Sequence, residues 1–154
     1  MTRPSLLVSL CLLFAVAACG DSRSGDPAQV TYASSLGVDL GAMTRSESGL
    51  YTQDLTVGTG AEALVNRNLQ VNYSGWLPDG RLFDTSLATG RTPFAFTLGR
   101  GRVIAGWDEG LVGMKVGGKR RLVLPSSLGY GEQGTDGIPP HSVLIFDVEL
   151  LSAR

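Results

Sequence analysis

The clearest periodic signal in the chain lies in "LQVNYSGWL". Leu69, Val71, Tyr73 and Leu77 fall on one side of an extended strand, and Gln70, Asn72 and Ser74 fall on the other. Directly after it, "PDG" at Pro78 to Gly80 predicts a turn, because Pro presets one dihedral and Gly accepts a positive one. "RLFDTS" resumes an extended path. "GLYTQDLTVG", "PFAFTLG", "KRRLVLP" and "SVLIFDVELLS" read as further strands, the last being the longest β-branched and aromatic run. A different period runs through Ile104, Trp107, Leu111 and Met114, which fall at helical spacing. Gly110 and Gly113 weaken such a helix by about 1 kcal/mol each relative to Ala, so it forms only by docking its apolar stripe on the strands. About five strands and one short helix, joined by short loops, predict an α+β domain with a mostly antiparallel sheet and the helix against one face.

This patterning occupies residues 45–154. Ahead of it, Gly20 to Thr44 is dominated by small and polar residues and predicts a flexible tether, with at most a weak strand at Val30 to Tyr32. Earlier still, Arg3 precedes the apolar run "SLLVSLCLLFAVAA", too short and too close to the N-terminus for a comfortable membrane span. It ends in "VAAC", which resembles the lipobox of bacterial lipoproteins. That resemblance implies a signal peptide over residues 1–18, a lipid on Cys19, and a tether over residues 19–44. It also implies a protein anchored in the bacterial cell envelope and facing the periplasm. Gly20, where an Asp would favour the inner membrane, favours the outer one.

Composition narrows the chemistry. The chain has 154 residues and a formal net charge of -1, so no global field draws it to nucleic acid. Lys115, Lys119, Arg120 and Arg121 form a local basic cluster that reads as a solvated strand face. The second cysteine, Cys11, lies in the segment expected to be removed, so past Cys19 no disulfide or thiol nucleophile is available. A single histidine, His141, excludes a multi-histidine metal site within one chain and reads as an anchor for the last strand. Asp108 and Glu109 are adjacent, point about 100° apart on a helix, and read as helix N-terminal charges on the solvent side. "GRGRVIAG" lacks the spacing of a nucleotide-binding loop. No cofactor or metal is expected.

With polar catalysts set aside, large apolar residues beside turns and element ends stand out. They are Tyr73, Phe83, Phe94, Phe96, Val103, Ile104, Trp107, Tyr130, Ile138 and Phe146. So many in a small domain predict a pocket. Asp84, next to Phe83, reads on its own as a turn acid.

Five motifs in register connect these residues: "VNYSGWLPDGRLFDTS", "PFAFTLGRGRVIAGWDEGL", "GYGEQG", "GIPPHS" and "LIFDVELL". Together, over residues 49–151, they resemble the FKBP-type peptidyl-prolyl isomerase family. The resemblance implies an antiparallel sheet of five or six strands wrapped around one short helix. It implies that Trp107 is the pocket floor, and that Tyr73, Phe83, Phe94, Phe96 and Val103 are its walls, with Ile138 and Phe146 on the far side. Asp84 becomes a buried acid, Tyr130 a hydroxyl donor, and the Ile104 N–H a donor to a substrate carbonyl. Asp84, Tyr130, Trp107 and Ile104 are then the catalytic set. Two departures bear on specificity. The stretch between "FD" and "PF" is one residue longer than in the shortest members, leaving Arg91 as the candidate partner of the acid. The stretch between "YG" and "IPP" is one residue shorter, so "EQGTDG" builds a different loop tip.

The implied activity needs no nucleophile, metal or cofactor. Its implied partners are Xaa-Pro segments of protein substrates and macrolide inhibitors, with membrane contact through the lipid alone and a monomer as the default. The alternative is a tethered peptide-binding or chaperone module with little turnover; the presence of both Asp84 and Tyr130 beside the full aromatic set speaks for the enzyme.

Overall fold

The computed structural model describes residues 25–154. The expected signal peptide and Cys19 lie outside them.

Seven strands form one sheet among the described residues: β1 (Thr44–Arg45), β2 (Tyr51–Thr56), β3 (Asn68–Trp76), β4 (Leu82–Thr85), β5 (Phe94–Thr97), β6 (Lys119–Leu124) and β7 (Leu144–Ala153). All pairs are antiparallel, in the order β1-β2-β6-β7-β3-β4, with β5 also on β3. The expected α+β class holds. The strand count exceeds expectation because β1 is only two residues long and the outer edge of β3 is shared. β5 pairs with Asn68 to Val71 and β4 with Ser74 to Trp76. Residues 86–93 span that break, and the functional cavity opens beside it.

The strong alternation in β3 is realised. Leu69 and Val71 are buried, and Tyr73 packs on the same core face. The helix α1 (Ala105–Gly110) lies on this face, and the buried stripe of Trp107, Leu111 and Met114 continues beyond its last turn. It packs with Leu122 and Leu124 of β6 and with Phe146, Val148 and Leu150 of β7. Glycine at positions 106 and 110, which shortens the helix, is required by this docking. A Cβ on Gly106 would overlap the Leu124 side chain, and one on Gly110 would come within 2.8 Å of Leu122. The backbone of α1 can therefore lie directly on the sheet.

The expected tether is corrected by the opposite face. Residues 25–43 are not a loose linker but a packed cover, built from three short 3-10 turns at Pro27–Gln29, Ser34–Leu36 and Leu40–Ala42. Leu36 is buried with Tyr51, Val123, Val143 and Ile145, while Val30, Tyr32, Val38, Leu40 and Met43 pack around them. The strand expected at Val30 to Tyr32 is absent. Backbone bonds instead run to loops of the domain, from Ala33 N–H to the Pro78 carbonyl (2.8 Å) and from Ser126 N–H to the Gly25 carbonyl (2.9 Å).

The basic cluster is corrected as well. Lys115 and Lys119 are exposed, but Arg120 and Arg121 are not a solvated face. Arg120 pairs with Asp54 (2.6 Å) and donates to the Gly110 and Val112 carbonyls, closing the C-terminal end of α1. On the covered face, Arg121 pairs with Asp147 and donates to the Leu36 carbonyl.

Candidate active site

A cavity of about 400 Å³ opens between the start of α1, the core face of β3 and the loops around residues 101 and 130. Its lining includes Tyr73, Phe83, Asp84, Phe94, Val103, Ile104, Trp107, Tyr130 and Phe146, all expected from sequence. Trp107 is only 4% exposed and is held by four neighbouring rings. Tyr73 meets it edge-on at 5.1 Å, Phe146 at 5.4 Å and Phe94 at 6.2 Å, while Phe96 lies tilted at 5.8 Å. Such edge-to-face pairs are worth about 0.5–1.5 kcal/mol each beyond burial and hold the ring in one orientation.

Phe96 and Ile138 do not line the cavity. Phe96 is buried behind Phe94, stacked at 5.6 Å, and supports the wall from the core side. Ile138 is likewise a core residue, and borders a separate shallow depression beneath the loop of residues 133–140. Motif spacing locates both correctly along the chain; it cannot tell the front layer of a wall from the layer behind it. Gly101 and Arg102, by contrast, line the cavity and were missed. Their position just before Val103 was the available signal.

Asp84 sits on β4 opposite Gly75 of β3, where the pairing brings it to the Tyr73 side chain. Its Oδ2 accepts from the Tyr73 hydroxyl at 2.5 Å, and its Oδ1 accepts from Arg91 Nη2 at 2.7 Å and from Thr85 N–H at 2.9 Å. Arg91 thus does partner the acid. The carboxylate is not buried as expected: its side chain is 42% exposed, as is that of its partner Arg91 at 51%. At that exposure the ion pair contributes about 0–1 kcal/mol, so its role is orientation more than stability.

Two donors face the problem differently. The Tyr130 hydroxyl and the Ile104 N–H make no hydrogen bond with other described residues. Ile104 has extended dihedrals as the residue capping α1, and its carbonyl accepts from Trp107 N–H at 3.0 Å. Asp108 also departs from its expected part. Its Oδ1 accepts from Gly99 N–H at 2.7 Å and its Oδ2 from Gly101 N–H at 2.8 Å, so the carboxylate clamps the loop that carries the cavity wall. Glu109 accepts from the Ser48 hydroxyl at 2.7 Å on the exposed side. His141 anchors the Tyr130 loop through its backbone, donating to the Gly131 carbonyl at 2.9 Å.

The model for FKBP-type peptidyl-prolyl cis-trans isomerases matches residues 60–151, which contain nearly all of the cavity's supporting elements. The chain belongs to this family. A protein of Neisseria meningitidis serogroup B named "FK506-binding protein" is 55% identical over 104 residues, covering 67% of this chain and 94% of the relative. A Saccharomyces cerevisiae protein named "Peptidyl-prolyl cis-trans isomerase" is 45% identical over 108 residues, covering 70% of this chain but 26% of its own length. Among solved structures, FkpA from Escherichia coli is similar with a TM-score of 0.68 and 44% identity, covering 73% of this chain and 52% of that one.

The FKBP-type chain is accordingly a peptidyl-prolyl cis-trans isomerase. Its cavity tyrosines are set to stay protonated. Burial first, then the hydrogen bond to Asp84 and its negative charge, pushes Tyr73 up to about 12. Burial and the Asp84 charge also raise Tyr130. A folded-state pKa above the unfolded value means that the folded protein holds the proton more tightly. Stability from these hydroxyls is then fully present below about pH 10 and is lost only as pH rises beyond it. The expected result is a kcat/KM with no tyrosine inflection between about pH 6 and pH 10, read by exchange NMR on a proline peptide. An inflection near pH 8 or 9 that disappears in Tyr130→Phe would contradict this.

Proposed function

We propose that this isomerase is a lipid-anchored enzyme of the bacterial cell envelope that speeds Xaa-Pro rotation in proteins folding in the periplasm. The anchor rests on "VAAC" ending at Cys19. Among the described residues, no helix is long and apolar enough to cross a membrane. Uncatalysed Xaa-Pro isomerisation takes about 10–100 s, long enough to delay folding.

The observation that carries the catalytic reading is the Trp107-floored aromatic cavity with two donors at its rim that no described residue engages. Amide resonance sets a barrier of about 18–20 kcal/mol, whereas the cis and trans states of Xaa-Pro differ by only about 0.5–1 kcal/mol. Catalysis therefore has only to lower the barrier. The twisted amide is less charge-separated than the planar one, so an apolar cavity favours it over the ground state. Each roughly 1.4 kcal/mol of that difference gives tenfold in rate. In this reading Trp107 supports the proline ring, with Tyr73, Phe83, Phe94, Val103 and Phe146 around it. Phe96 and Ile138 back the walls. The Ile104 N–H and the Tyr130 hydroxyl hold the flanking carbonyls, and Asp84 orients Tyr73. The same cavity would take a macrolide of the kind named for the relatives, as a monomeric domain.

The test uses the full chain, expressed with radiolabelled palmitate in a bacterial host and purified in detergent. The expected result is label in the wild type, none in Cys19→Ala, and equal acceleration of an Ala-Xaa-Pro-Phe peptide by both. Loss of label together with unchanged activity separates anchor from enzyme. Absence of label in the wild type would sink the anchor, and a rate no faster than background at micromolar enzyme would sink the cavity's assigned role.

A further inference from the structure

The cavity carries one charge that no described residue balances. Its lining includes two ionic side chains, Asp84 and Arg102. Asp84 is occupied by Tyr73, Arg91 and the Thr85 N–H. Arg102 is exposed and has neither an ion pair nor a hydrogen bond with any described residue. The acids on the neighbouring loop, Glu132 and Asp136, do not reach it. Asp108, closest along the chain, has both oxygens committed to the Gly99 and Gly101 N–H groups.

Those same bonds fix where Arg102 stands. Gly99 and Gly101 adopt φ of 75° and 64°, left-handed values that suit glycine, and the Asp108 carboxylate grips both. Two residues on, Ile104 is held by its carbonyl bond to α1. The root of the Arg102 side chain is thus clamped at both ends beside the cavity, while the guanidinium remains free to meet a ligand. Its aliphatic stem can lie along the apolar wall with the charged head outside.

We infer that Arg102 is a specificity-determining residue that makes this isomerase favour substrates with a carboxylate side chain next to the proline. The inference rests on the isomerase reading of the cavity. A guanidinium suits a carboxylate because its donors form a planar fork that two oxygens can accept. The contact is exposed, so the preference is modest, about two- to fivefold, and fades with salt.

The experiment measures kcat/KM for peptide pairs with Glu or Gln immediately before the proline, and for pairs with Glu or Gln immediately after it. The readout is the Glu-to-Gln ratio, which a general loss of activity does not move. At low ionic strength the wild type is expected to give a ratio of about two to five at one of the two positions, falling towards one at high salt. Arg102→Gln brings the ratio to one, Arg102→Glu inverts it, and Arg102→Lys keeps most of it. Arg100→Gln, which removes a cation of the same loop that does not line the cavity, leaves it in place. A wild-type ratio of one at both positions overturns the inference. So does a ratio that survives Arg102→Gln or vanishes in Arg100→Gln. No turnover of any peptide would instead overturn the isomerase reading of the cavity, and the inference with it.

Discussion

Trp107→Ala is expected to lower stability by about 3–5 kcal/mol and kcat/KM at least tenfold, the larger of the two losses at this site being the structural one. The ring is buried and touches Tyr73, Phe94, Phe96 and Phe146. Its removal leaves a hole bounded by the sheet, and Gly106 and Gly110 already press α1 against Leu124 and Leu122, so the helix cannot sink further to fill it. One effect opposes the loss: Trp107 Nε1 is buried with no hydrogen-bond partner among the described residues, and deleting it relieves a desolvation cost of about 1–3 kcal/mol. Urea unfolding gives the stability change and a peptide assay the rate. Trp107→Phe separates the two contributions, because it restores most of the packing with a smaller floor. It should recover most of the stability but only part of the rate. Full recovery of both would mean that the indole has no part in the turnover beyond filling space.

The parts of this architecture that were legible in sequence are those with a regular period or a dense local motif. Alternation in Leu69, Val71 and Tyr73 marks the core face of β3, and the spacing of Trp107, Leu111 and Met114 marks the helix stripe. The packed cover over residues 25–43 was not legible for a physical reason. Val30, Tyr32, Leu36, Val38 and Met43 are spaced singly between small polar residues, and 3-10 turns impose no long period on them. They become a layer only because the sheet offers a second apolar face, through Tyr51, Val123 and Ile145. The near-continuous run Leu144 to Val148 was the indirect sign of it, since a strand buried on both faces loses its alternation. At the site, Asp108 was unreadable for a related reason. A first-turn acid looks the same in sequence whether it faces water or reaches back to Gly99 and Gly101. The choice depends on the loop closing over α1, which is a tertiary event.

That second face leads to the other large effect. Arg121→Met is expected to lower stability by about 3–5 kcal/mol although it lies outside the cavity. Arg121 makes two parallel bonds to Asp147, Nε to Oδ1 at 2.7 Å and Nη2 to Oδ2 at 2.9 Å, and both side chains are nearly enclosed, at 14% and 10% exposure. Methionine can occupy the arginine stem's space, but it leaves the Asp147 carboxylate without a counter-charge under the cover. The third nitrogen matters separately. Nη1 donates to the Leu36 carbonyl at 2.6 Å and to the Gly37 carbonyl at 3.3 Å, tying residues 25–43 to β6. Pairing Arg121→Met with Asp147→Leu divides these contributions. If the loss comes from the stranded carboxylate, the double variant regains most of the stability, because buried ion pairs are commonly replaceable by apolar residues of similar size. The bonds to Leu36 and Gly37 stay broken in both variants. Limited proteolysis should therefore cut within residues 30–43 faster than in the wild type, even where unfolding by urea looks normal. Unchanged cleavage in the double variant would show that apolar packing around Leu36 alone holds the cover, and that Arg121 serves only Asp147.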